Sequence, residues 1–162
     1  MELDEIERRM QPGGWYTKPL LLEGESLALT REEDARQLIR LGVSAEVLGR
    51  RLAELLATAS TSDWFRPFRG GPFDVELRRR RGLIPCPWAP DETTRCPIGA
   101  GGRATANQFA VSNRNARRRL EGFELSAHLI RDHGFFGGRG TAFRIEPEDL
   151  ALLLELGSAG WK

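Results

Sequence analysis

Cysteine and histidine are scarce in this chain of 162 residues, with two of each. Two cysteines exclude a disulfide scaffold, and two histidines exclude a His-rich metal tract. No apolar run approaches the roughly 18 to 20 residues of a membrane span, and the densest stretch is Leu150–Leu154. The first ten residues, MELDEIERRM, are charged and lack the apolar centre of a secretory signal. Cytoplasmic residence is the expectation. Lysine is nearly absent as well: 22 of the 24 basic residues are arginine, with only Lys18 and Lys162 as exceptions. Arginine is the better fork for phosphate and carboxylate, but the acidic N-terminal segment is just as arginine-dominated, so this preference marks no site.

The formal net charge of +1 conceals a segregation. Residues 1–60 carry 11 acids and 8 bases, residues 61–144 carry 8 acids and 15 bases, and residues 145–162 carry 4 acids and 1 base. A middle of +7 lies between two ends of −3. Within it, Arg78, Arg79, Arg80, Arg81, Arg117, Arg118, Arg119 and Arg139 are candidates for a phosphate-binding surface on nucleic acid. An acidic protein partner fits the same charge, and so does a plain solvated face. On strands only about half of each run can share one face.

Residues 1–29 read as an irregular arm, broken by Pro12-Gly13-Gly14, Pro19 and Gly24 and anchored by Trp15-Tyr16 and Leu20-Leu21-Leu22. Thr30 and Glu33 fit a capping box opening a helix with Ala35, Leu38 and Ile39 on one face, stopped at Gly42. Ser44 opens a second helix, to about Ala57, whose stripe is Val47, Leu48, Leu52, Leu55 and Leu56. Phe73, Val75 and Leu77 alternate with polar residues and predict a strand. Residues 87–102 are loop-like. Gln108–Ser112 and Arg117–Leu120 predict a hairpin about Asn113-Arg114-Asn115, followed by a helix from Leu125 to about His133 with Gly134 as its cap. A short strand over Ala142–Ile145 and a final helix over Glu148–Leu156, with Pro147 at its first turn, complete the chain. The expected fold class is α+β: an arm and helical pair over 1–60, and a small antiparallel sheet with its helices over 61–162, packed as one unit.

Both cysteines and both histidines fall between positions 86 and 133. Their order is Cys86, nine residues, Cys96, thirty-one residues, His128, four residues, His133. Four such ligands are a closed tetrahedral set for Zn²⁺, and the histidine spacing is that of zinc sites. Residues five apart on a helix point about 140° from each other, so joint ligation predicts a helix loosened near Gly134. A catalytic Cys–His pair and ordinary burial are the competing readings of the same residues.

The stretch LSAHLIRDH, residues 125–133, preceded by a hairpin, resembles the ββα order of a Cys2His2 zinc finger. The resemblance covers only residues 86–133 and implies that Cys86, Cys96, His128 and His133 bind zinc. The cysteines precede the hairpin instead of sitting on it, and Glu124, Ser126, Ala127 and Arg131 offer little base-reading chemistry. HLIRDHGFF, residues 128–136, also resembles a segment of small bacterial proteins, without implying a function. Four ligands leave no position for water, so the zinc is expected to be structural and the protein non-enzymatic, binding nucleic acid or, alternatively, serving as a protein–protein adaptor. A metal-dependent nuclease or hydrolase, built on Asp132-His133 with Asn113 or Asn115, is a remoter alternative.

Overall fold

A computed structural model describes residues 3–60, 68–88 and 103–157, and shows an α+β fold. Helix α1 (Leu3–Met10) lies at the start of the arm, where a loop was expected. Its signal is the four-residue spacing of Ile6 and Met10, which are both fully buried while Asp4 and Glu5 face solvent. Helix α2 (Leu27–Leu41) begins a turn earlier than the capping box suggested. Ser26, not Thr30, is the N-cap, accepting from the Leu29 N–H at 3.2 Å. Thr30 points into the protein instead, on the face with Leu27, Asp34, Leu38 and Leu41, and Ile39 is left 80% exposed. Gly42 ends the helix at φ 71°. Helix α3 (Ala45–Ser60) buries Leu48, Leu52, Leu55 and Leu56, as its stripe requires.

The main sheet has four antiparallel strands in the order β1 (Phe68–Gly70), β2 (Phe73–Arg78), β5 (Gln108–Asn113), β6 (Arg118–Phe123). Val75, Val111 and Leu120 stand in register on the face covered by α3 and by helix α5 (Pro147–Leu154). A second pair, β3 (Leu83–Pro85) with β4 (Arg103–Thr105), brackets residues 86–102. Strand β6 runs straight into helix α4 (Glu124–His133), which packs along α3. The strand expected over 142–145 is a turn instead. Its backbone is drawn around Arg144, whose guanidinium reaches Asp34, Glu146 and the Gly137 carbonyl.

Among the described residues two apolar clusters result. The larger joins α3, α5 and the covered face of the sheet. The smaller joins α1, Leu20, Leu21, Leu27, Cys86 and one side of α4 with Phe135 and Phe143. Among the described residues no helix is long and apolar enough to cross a membrane.

Candidate metal centre

Cys86 follows directly on β3 and is 0% exposed. Its Sγ lies 3.3 Å from His128 Nε2 and 3.4 Å from His133 Nε2. One ligand atom from each of the three residues lies within 4.8 Å of the other two. Tetrahedral zinc, with bonds of about 2.3 Å to sulfur and 2.0–2.1 Å to nitrogen, holds its S and N ligands about 3.5 Å apart. The donor set is therefore of the right kind and close to the right size, and these three residues can hold a metal ion. Cys96 lies outside the described residues.

The histidines arrive on α4. The helix has not loosened: His133 is its last residue, and Gly134 closes it at φ 61°, donating to the Ile130 carbonyl while Phe135 donates to Leu129. The two rings meet edge to face at 5.0 Å. His128 Nδ1 is 2.7 Å from Asp132 Oδ2, one helical turn away. Burial pushes the Asp132 carboxyl up, but hydrogen bonds from Arg131 and His128 outweigh it and hold it below the usual range. An ionised carboxylate only accepts, so Nδ1 of His128 is the donor. Burial keeps His128 below the ordinary histidine value despite Asp132. In the neutral ring, Nε2 then carries the lone pair toward Cys86. A carboxylate behind a ligating histidine in this way is a common support in metal sites. His133 is pushed down to about 4, first by burial and then by His128, so it too stays neutral. Trp88 stacks on its ring at 4.2 Å and 6°, and the Arg31 guanidinium lies over the tryptophan at 5.5 Å.

The backbone on either side of Cys86 is held from a distance. The Tyr16 hydroxyl donates to the Pro85 carbonyl, and Arg9 donates to the Pro87 carbonyl at 2.8 Å. Burial, with the nearby Cys86, raises the Tyr16 pKa and keeps its hydroxyl protonated as a donor. Asp132 could have been anticipated from its i+4 relation to His128. Nothing local announces Arg9 or Tyr16, which lie 78 and 69 residues from the carbonyls they bind.

The arginine runs are only partly brought together. Arg78 pairs in register with Gln108 and Arg119 with Ser112, so their backbones stand about 16 Å apart toward opposite ends of the sheet while their guanidiniums approach the same Glu121 oxygen. Both lie on the uncovered face beside Glu121, at 3.8 Å and 3.0 Å. Arg79, Arg80 and Arg81 extend beyond one end, while Arg117 and Arg118 are exposed at the other. Arg139 pairs with Glu33 at 2.5 Å, and its backbone N–H donates to Glu25. Asn113 is a turn brace: it donates to the Leu153 carbonyl and accepts from the Asn115 and Ala116 N–H groups.

No protein-family model matches the chain, and neither does any curated protein or any solved structure.

Proposed function

We propose that this is a zinc protein in which Cys86, His128 and His133, with Cys96 as fourth ligand, hold a structural ion. The observation that carries this reading is the convergence of two histidine nitrogens, one from buried His128 and one from half-buried His133, on one buried sulfur. Asp132 supports it from behind one ring. Bound zinc supplies a cross-link between the segment after β3 and helix α4, so its binding free energy is in part folding free energy. The protein then acts by binding and not by catalysis. Cobalt(II) titration tests the site: tetrahedral thiolate ligation predicts ligand-field and sulfur-to-metal charge-transfer bands saturating at one equivalent. Absence of those bands overturns the reading.

A second reading has its own observation. Cys86, His128 and Asp132 form a relay of 3.3 Å and 2.7 Å, the order of a nucleophile, its base and an orienting acid. Full burial of Cys86 works against it, since a nucleophile must meet its substrate. Iodoacetamide distinguishes the two: a catalytic thiolate is alkylated rapidly in the untreated protein, whereas a zinc ligand is alkylated only after chelation.

Among partners, nucleic acid takes first place on the charge of residues 61–144, with an acidic protein as the alternative and the cytoplasm as the setting. Support for nucleic acid comes from the exposed Arg80, Arg81, Arg117 and Arg118. Its footprint is smaller than the arginine count, because Arg78, Arg119 and Arg139 already have carboxylate neighbours.

A further inference from the structure

The metal ligands are not self-supporting. Cys86 sits between two prolines, which offer no N–H groups for a local turn. The carbonyls of both prolines are taken by side chains from the first sixteen residues. A buried carbonyl left without a donor is costly, so these two bonds fix the path of the main chain through Cys86. Arg9 is itself held in place: it is buried, paired with Glu5 at 2.7 Å, and its guanidinium lies 4.5 Å from the centre of the Trp15 ring. Ile6, Met10, Leu20 and Leu21 anchor the same segment onto the cluster containing Cys86, Leu125 and Leu129. The Leu20 and Leu21 N–H groups both donate to Met10, closing the arm into a compact loop. Helix α4 presents two of the ligands, and the segment after β3, braced by the N-terminal arm, presents the third.

We propose that the arm of residues 3–21 is a clamp for the metal centre, with Arg9 and Tyr16 as positioning residues for Cys86, so that metal binding and arm docking are coupled. This rests on the metal-site reading above. By linkage, any factor by which a docked arm raises metal affinity is the factor by which metal favours the docked arm. A metal-controlled arm is then the regulated element: loss of the ion weakens the docking of Tyr16 and the apolar side of α1 on the same cluster. A purely structural role for Arg9 and Tyr16 makes a different prediction. The two bonds would then stabilise metal-free and metal-bound protein equally, and affinity would not change when they are removed.

The test is zinc affinity, measured by competition with a chromophoric chelator, for wild type, Tyr16→Phe and Arg9→Met, together with denaturant stability with and without zinc. A hydrogen bond to a buried carbonyl contributes enough that each variant is expected to bind zinc about tenfold more weakly. Arg9→Lys, which retains a charged donor, is expected to recover part of the loss. Hydrogen exchange on the wild type needs no variant, and amides of residues 3–21 are expected to exchange faster after chelation. Unchanged zinc affinity in both variants, with stability lowered equally in both states, overturns the clamp and leaves the zinc site standing. Unchanged exchange in the arm on chelation also overturns it. A wild type that binds no zinc removes the site and the clamp together.

Discussion

At the residue scale, Asp132 is the support behind the His128 ring. Its role is to hold the His128 ring with Nε2 toward Cys86. Asp132→Ala is expected to lower zinc affinity by about 10- to 100-fold with little effect on the melting of the metal-free protein, as read by chelator competition and thermal denaturation. Equal affinity would remove its supporting role. Asp34 and Arg144 set a second residue-scale expectation. The Asp34 carboxylate is 1% exposed and meets the guanidinium through two bonds of 2.7 and 2.8 Å. Asp34→Ala removes the buried partner of Arg144, leaving it Glu146 and the Gly137 carbonyl, and is expected to cost roughly 1.5–3 kcal/mol in urea denaturation. Glu146, on the other side of Arg144, is held below the ordinary glutamate range by that arginine. A depressed carboxyl stabilises the fold above its unfolded pKa, and the contribution fades as pH falls through the folded value. Glu146→Gln is therefore expected to narrow its stability deficit relative to wild type as pH is lowered below the glutamate range. The convergence of Cys86, His128 and His133 was legible because cysteine and histidine are so rare here. Asp34, Arg144, Arg9 and Tyr16 were not, because their partners lie 69 or more residues away and no local pattern encodes such a pairing.

At the element scale, the pairing of α3 with α4 places the histidines. Gly49 is where these helices approach most closely: a Cβ there would fall 2.4 Å from the Arg131 backbone nitrogen and 2.6 Å from its Cα. In an exposed helix, Gly→Ala gains about 0.5–1 kcal/mol. Here steric overlap with backbone decides the sign, and Gly49→Ala is expected to destabilise by roughly 1–3 kcal/mol. Because Arg131 lies between His128 and His133, the same substitution is also expected to weaken zinc binding at the proposed site. A stabilised Gly49→Ala protein would show that the helices can part freely. The β5–β6–α4 order was legible in the sequence, since strand alternation, a turn and a glycine cap are local signals. The start of α2 was not fully so. Ser26 and Thr30 are both competent caps, and burial of Leu27 and Thr30 decides for the first. The strand at 142–145 fails for a related reason: its residues serve Arg144 instead of a sheet neighbour.

At the scale of the whole molecule, the metal centre belongs to the smaller apolar cluster, while the larger is built without it. Chelation is therefore expected to lower the melting temperature without abolishing the α3–sheet core, whose far-ultraviolet circular dichroism should persist at 25 °C. The +7 middle was visible in the sequence, but its division between two ends of a sheet was not, since register across strands decides where each arginine falls. Nucleic-acid affinity, if carried by the exposed arginines, must fall steeply with salt. Absence of binding to DNA and RNA at low salt would point to a protein partner instead. All of this depends on whether the ion is there. Elemental analysis of the purified full chain beside its Cys86→Ser variant decides that most directly. The site described here predicts about one zinc per wild-type chain and a clear loss in the variant. Zinc well below one per wild-type chain, or an undiminished content in Cys86→Ser, would contradict it.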